Sequence, residues 1–183
     1  TPASIEHQKG EYVNFPELWN NLHTQQPTIT PVGYATYATR VILPKNHPAL
    51  ALELQDVYSC YKIFVNGVVF ANDGNPGTSK TTNTPHWNNI VKPLPENTDT
   101  LDLVLQIANF NHYKGGPANP IKIGNVQELM GNQTKSISLD FLLTGCLFMG
   151  GLFFFGLFLY GKHDKAILYF SLFCMVYSYR IVG

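Results

Sequence analysis

From Phe141 to Tyr160 the chain carries no charged residue and no proline, only Phe, Leu, Gly, Met, Cys, Thr and Tyr. A helix needs roughly 20 predominantly apolar residues to cross the hydrocarbon core of a bilayer, and this run has that length. A signal peptide is excluded, because the run follows a folded-looking domain, is too long and lacks a small-residue cleavage site. The expectation is a first membrane helix over 137–160. A short polar turn, 161–165, leads to a second apolar run that starts at Ala166 and continues to Gly183, where the sequence stops. This is read as the start of a second membrane helix, cut short, since a chain seldom ends inside a hydrophobic span with a residue such as Arg180 near its end. Lys162 and Lys165 mark the turn as cytoplasmic, because short loops rich in Lys and Arg stay inside, and the N-terminal part then faces outward.

The overall charge balance, 12 Lys and Arg against 12 Asp and Glu, hides this division, since most of the charge precedes Ile137. No basic stripe is present, which argues against a nucleic-acid partner. Cys60 is alone in the polar part and Cys146 and Cys174 fall in apolar runs, so no disulfide framework is legible. With no leader at the start, Thr1 is expected to follow a removed or omitted export sequence.

Between Gly33 and Ile123 the pattern is that of strands separated by turns, an all-β domain of the sandwich or jelly-roll kind over 1–124. Tyr34 to Leu43 is rich in Tyr, Thr, Val and Ile and ends at Pro44, which has no N–H for a ladder. Leu50, Leu52 and Leu54 alternate with Ala51, Glu53 and Gln55, as do Leu101, Leu103, Leu105 and Ile107 with Asp102, Val104, Gln106 and Ala108, so each strand has an apolar face. Tyr61–Val65 and Val68–Ala71 flank Asn66-Gly67, a dipeptide that readily takes the positive φ angles of a tight hairpin. Asp73 to Thr84, dense in Gly, Asn, Pro, Ser and Thr, is expected to be a long exposed loop. Trp19 and Leu22 suit a short helix packed along the sandwich. Polar 125–136 is expected to be a short coupling linker, with a helical turn near Gln127 to Met130.

These residues resemble a known combination. Gly33-Tyr34-Ala35-Thr36-Tyr37 running through Arg40-Val41 to Leu43-Pro44, then Tyr61 to Gly67, then Leu101 to Asn109, are similar to the galactose-binding-like jelly roll, a fold found beside many glycoside hydrolases. Gly161 to Phe173, with Leu168-Tyr169-Phe170-Ser171-Leu172-Phe173, resembles the opening of the seven-transmembrane receptors with diverse intracellular signalling modules. That resemblance implies a bacterial inner-membrane protein whose periplasmic jelly roll senses a small-molecule, carbohydrate-like ligand. It also implies seven helices and a cytoplasmic kinase, cyclase or DNA-binding output, with no catalysis in the sensory part.

The richest chemistry lies in Asn109-Phe110-Asn111-His112-Tyr113-Lys114-Gly115-Gly116, where Tyr113 offers a face for sugar stacking and Asn109, Asn111, His112 and Lys114 offer hydrogen bonds. Asn111 and the glycines equally well build a turn. His86 and Trp87 form a second candidate if the Trp is exposed, although so large an apolar side chain is more often a core anchor. The six histidines are scattered with no close pair and no Cys-x-x-Cys, so neither a metal nor any other cofactor is expected. Asp73, Asn72 and Asn75 carry oxygens of the kind calcium takes, but turn chemistry explains them more simply. Glu53 and Asp56 imitate a carboxylate pair, yet on a continuing strand they point to opposite faces. No phosphate loop or serine elbow appears. In the apolar part, a helix returning at about 1.5 Å per residue brings Arg180 to the depth of Asp140, where the two form an ion pair or Arg180 snorkels alone to the interface. Besides ligand and bilayer, the candidate partners are a second receptor copy or a protein docked on the 109–116 rim, and a membrane-anchored carbohydrate-active enzyme fragment is the remaining alternative.

Overall fold

The computed structural model describes residues 10–22, 29–55, 57–96, 98–161 and 164–182. The chain divides into two compact units, Thr1–Leu129 and Met130–Gly183. The first is antiparallel β-structure and the second is helical.

Nine strands form among the described residues of the first unit. They are β1 (Gly33–Ile42), β2 (Leu50–Leu54), β3 (Val57–Tyr58), β4 (Cys60–Val65), β5 (Val68–Asp73), β6 (Ile90–Pro93), β7 (Thr100–Asn109), β8 (Gly116–Pro117) and β9 (Lys122–Asn125). One sheet has the order β1-β7-β4-β5, a second β6-β2-β9, and β3 pairs with β8. The two larger sheets share one core. Leu101, Leu103, Leu105 and Ile107 of β7 and Tyr61, Ile63 and Val65 of β4 meet Leu52 and Leu54 of β2 there, with Ile90 and Ile123 packed against them. This is a two-sheet sandwich, and the period-two alternation of β7 and β2 dictates which residues enter its core. At roughly 25 cal/mol per Å², burying each of these Leu and Ile side chains contributes about 2 kcal/mol.

The β4–β5 hairpin turns at Asn66 and Gly67 with φ of 49° and 79°, as that dipeptide predicts. Its tip is tied to β7, because Asn66 Oδ1 accepts from Asp102 N at 2.8 Å and Asn66 N donates to Asp102 O at 2.9 Å. Asp102 also receives both arms of Arg40 on β1, at 2.6 and 2.8 Å. The Arg40 hydrogen bond holds the Asp102 carboxyl below the usual carboxylate range. Trp19 opens the short helix, a single 3-10 turn over Trp19–Asn21, and is buried in the core with Nε1 donating to Tyr37 Oη at 2.8 Å. Short strands β6, β8 and β9 have no alternation long enough to read locally. They exist because β2 supplies partners on both sides and β3 supplies one.

The second unit holds most of α1 (Val126–Tyr160) and all of α2 (Lys165–Val182). The polar stretch 125–136 is not a separate linker: Asn125 Oδ1 caps the helix by accepting from Gln127 N at 2.8 Å, and with no proline to stop it the helix runs on to Tyr160. At about 1.5 Å per residue, α1 exceeds the roughly 30 Å of a hydrocarbon core, so its polar beginning lies outside any span. Among the described residues α1 is the helix long and apolar enough to cross a membrane, and only 6% of its apolar window is buried. Asp164 caps α2 through Ala166 N at 2.9 Å. The helices touch at Gly151, where a Cβ would lie 2.9 Å from Met175 Cγ and 3.1 Å from Ser171 O.

Candidate functional site

Register brings the predicted site residues to one end of the sandwich. Gly33 at the start of β1 faces Asn109 at the end of β7, Cys60 at the start of β4 faces Ala108, and Tyr61 faces Asp73 at the end of β5. The loops leaving these four strand ends therefore gather there, and they carry both His86-Trp87 and Asn109–Lys114.

The two segments are built differently. Asn109 is completely buried. Its Nδ2 lies 2.8 Å from each of three carbonyls, those of Pro31, His112 and Lys114, and its Oδ1 accepts from His112 N at 2.9 Å and Asn111 N at 3.3 Å. The side chain thus serves as the loop's internal frame and has nothing left for a ligand. Trp19 N donates to Gly115 O at 2.9 Å, and Asn20 bonds Tyr113 O and Gly115 N. A Cβ on Gly115 would sit 2.2 Å from Pro31 O, and one on Gly116, whose φ is +88°, would sit 2.6 Å from Trp19 Cδ1. Both glycines are required by close approach rather than by the ligand.

His112 stacks on Tyr58 with ring centroids 4.5 Å apart and planes 2° from parallel, and Tyr113 leans on its ring at 4.5 Å. His112 Nδ1 lies 3.1 Å from Lys114 N and 3.2 Å from Lys114 O, so the loop's own backbone engages this ring nitrogen. Lys114 Nζ lies 5.6 Å from the centroid of Tyr113. Tyr58, His112, Tyr113 and Lys114 therefore form one pile, and Tyr113, although exposed, already has ring and cation neighbours. Asn111 is exposed at the tip.

At the other segment Asp73 is 4% exposed and holds His86 by a hydrogen bond through Nδ1, while its second oxygen accepts from Asn88 N at 2.7 Å. That disposes of Asp73 as a turn residue or a calcium ligand, because both carboxylate oxygens are engaged inward. His86 N donates to Ser59 O at 3.3 Å, which places this segment beside Tyr58 and the His112 pile. The anchored ring leaves Nε2 outward, with the side chain 62% exposed. Trp87 is 76% exposed, so the expectation of a core anchor is overturned: Trp19 fills that role, and Trp87 is presented to solvent.

Beneath the site, the Tyr61 hydroxyl is buried without a hydrogen-bond partner among the described residues, and burial followed by the Asp73 charge pushes its pKa up. Cys60 Sγ donates to Asn83 Oδ1 at 2.9 Å, and burial raises its thiol to about 11, a structural rather than a reactive cysteine.

Glu53 does not form half of a catalytic pair. Lys122 and Gln55 bond it at 3.0 and 2.8 Å, and although partial burial pushes its carboxyl up, those bonds outweigh the burial and hold it low. Asp56 lies outside the described residues, as do His7, His23, Lys162 and His163. Asp140 and Arg180 are exposed on α1 and α2 and do not pair with each other, whereas Arg40–Asp102 and Lys122–Glu53 form ion pairs on the sandwich. The same search finds no group of three metal-ligating side chains among the described residues.

At the opposite end of the sheet, a cleft of about 470 Å³ is lined by Leu43, His47, Leu50, Leu94, Glu96 and Asp99 among others. Sequence reasoning gave no hint of it, nor of Tyr58, Ser59 and Asn88. Each of these acts through a partner distant in the chain.

No family model matches the chain, and neither does any curated protein. Solved structures with partial likeness include a putative beta-galactosidase from Bacteroides fragilis, 17% identical with a TM-score of 0.43 over 63% of this chain and 18% of that one. A Bacteroides uniformis beta-glucuronidase gives 13% identity and a TM-score of 0.47 over 66% of this chain and 15% of that one. The GH2 beta-galacturonidase of Eisenbergiella tayi bound to galacturonate gives 15% and 0.45 over 67% and 22%. This chain spans less than a quarter of each of those proteins, and the sandwich is assigned from its own register and core.

Proposed function

We propose that the chain is the ligand-sensing jelly roll, of galactose-binding-like type, and the first membrane helices of a multi-pass bacterial signalling receptor. The sandwich faces the periplasm and takes a carbohydrate-class ligand, and α1 lies in the inner membrane. The observation that carries the reading is a pair of exposures in one chain: an indole 76% exposed beside an imidazole anchored by a buried carboxylate, and an apolar α1 of which 6% is covered. An exposed Trp next to a fixed hydrogen-bonding group is what recognition of a sugar ring requires. Uncovered Phe, Leu and Met along a helix need lipid or further helices.

Binding rather than catalysis is the role of this part, with Glu53 held in a pair with Lys122. Transmission to the membrane runs through β9, whose last residue caps α1 and whose successor, Val126 N, donates to Ala49 O at 3.1 Å. A ligand shifts the receptor's balance between two arrangements only if it binds them unequally, and a helix continuous with a core strand is a direct means of conveying that difference.

Membrane extraction tests the first half. Alkaline carbonate leaves the chain in the pellet, and protease added from the periplasmic side removes the sandwich; release into the supernatant sinks the membrane reading. A glycan thermal-shift screen on the detergent-solubilised chain tests the second, and stabilisation absent from Trp87→Ala is the expected result.

A further inference from the structure

Two exposed rings stand at the Asn109 end, Trp87 at 76% and Tyr113 at 71%, and both are seated on fixed neighbours. The backbone beside Trp87 is fastened by Asp73, which bonds the His86 ring on one side of it and Asn88 N at 2.7 Å on the other. Tyr113 is the outer layer of a pile: its ring lies 4.5 Å from that of His112, which in turn lies 4.5 Å from that of Tyr58. Asn20 Nδ2 also donates to Tyr113 O at 3.3 Å. The core does not need this pile, since Tyr58 and His112 are only half-buried and neither belongs to the core cluster. What it does is hold a phenol ring still in solvent. Each exposed ring has an exposed amide close by in the chain, Asn88 beside Trp87 and Asn111 shortly before Tyr113, and neither side-chain amide is hydrogen-bonded among the described residues. A ring face with an amide that both donates and accepts suits a hydroxylated ring, neutral or acidic alike. The two segments adjoin, because His86 N donates to Ser59 O at 3.3 Å and Ser59 follows Tyr58, the base of the pile.

We infer that the ligand is an oligosaccharide rather than a single sugar, with one ring on Trp87 and a later ring of the same chain on Tyr113. This rests on the carbohydrate reading above and adds the length of the ligand to it. A single sugar covers one aromatic face, so the second platform contributes when a covalent chain carries a second ring to it. That second contact is intramolecular and raises affinity without a second cost of association. Tyr113 suits the role even though Asn109 has turned the loop's hydrogen bonds inward, because stacking needs a held face and not a free bond.

Titration calorimetry on the full chain, in a detergent without a sugar headgroup, tests the assignment with glucose, galactose and galacturonate series, each from the monosaccharide to the hexasaccharide. In at least one series affinity rises about tenfold from the single sugar to the length that reaches both rings, the magnitude of one added stacking contact. It then levels off, with one oligosaccharide bound per chain. Trp87→Ala removes binding, whereas Tyr113→Ala brings the oligosaccharide down to the affinity of the single sugar. Tyr113→Phe keeps the ring and keeps the gain, which separates lost stacking from a disturbed loop. Affinity independent of length in every series that binds, two oligosaccharides bound per chain, or a Tyr113→Ala variant that matches the parent overturns the two-ring assignment and leaves the carbohydrate reading standing. Failure of all the sugars to bind overturns both.

Discussion

Two loops share one end of this sandwich and solve opposite problems. Asn109–Gly116 carries the denser set of polar and aromatic residues, yet its hydrogen-bonding capacity turns inward: the Asn109 amide is divided among three carbonyls and two N–H groups. The segment around His86 has fewer such residues, and only its inner atoms are committed. Residue type alone does not mark a binding loop, because a side chain that satisfies buried backbone groups is no longer available to a ligand. The contrast extends to the tryptophans, where Trp19 is sealed under Gly115 and Gly116 and Trp87 stands in solvent.

The contrast is sharpest in stability. Asn109→Ala leaves several buried backbone groups unpaired at once, at about 1–3 kcal/mol each, and the expected loss is about 4 kcal/mol by urea unfolding monitored through tryptophan emission. A loss below about 1 kcal/mol would show that the loop is not framed by this amide. Gly116→Ala forces a Cβ against Trp19 at a φ of +88°, with an expected cost of about 3 kcal/mol. Its diagnostic is a red shift of Trp19 emission in a Trp87→Phe background, and an unchanged spectrum would contradict the close packing. Asp73→Asn removes the charge that orients His86 but keeps an acceptor for Asn88, so about 2 kcal/mol is expected. Ligand affinity should fall with it; retained affinity would detach the dyad from recognition.

Much of this architecture is legible in the sequence, and what is not has a common cause. Alternation in Leu50–Gln55 and Leu101–Ala108, and the Asn66-Gly67 turn, are local signals, and the strands and hairpin form where they indicate. The apolar run from Phe141 is local as well, and it lies within a helix. Strands β6, β8 and β9 are defined by partners far along the chain, and no window around them reveals it. The same holds for the site. His86 and Trp87 were recognisable by type, but the Asp73 that holds the histidine belongs to a strand end, and the stack of His112 on Tyr58 joins residues with no pattern in common. Trp87 misleads for a related reason: size favours burial, but the core position that a tryptophan occupies had already gone to Trp19.

Alkaline titration separates the floor of the site from its rim. Burial raises the Cys60 thiol from 9.0 to about 11. The folded chain therefore keeps this proton at a pH where the unfolded chain has released it, and linkage makes folding less favourable as pH rises across that interval. The contribution is intact below pH 9.0 and gone above about 11. Cys60→Ala should flatten the fall in stability over this window relative to the parent chain, whereas identical slopes would mean that the thiol ionises freely.

The smallest stability effect belongs to Trp87. The side chain is 76% exposed, so Trp87→Ala should change unfolding stability by less than about 0.5 kcal/mol and delete the solvent-like component of tryptophan emission. The same substitution should abolish ligand binding. That pairing, near-silence in stability with loss in affinity, is the reverse of what Asn109→Ala should produce, whose effect on binding follows from loss of fold. If Trp87→Ala destabilises the sandwich as strongly as Asn109→Ala, the indole is a structural element and the rim has no free platform. Recognition would then fall to another part of the sandwich, such as the cleft at the other end lined by His47, Glu96 and Asp99.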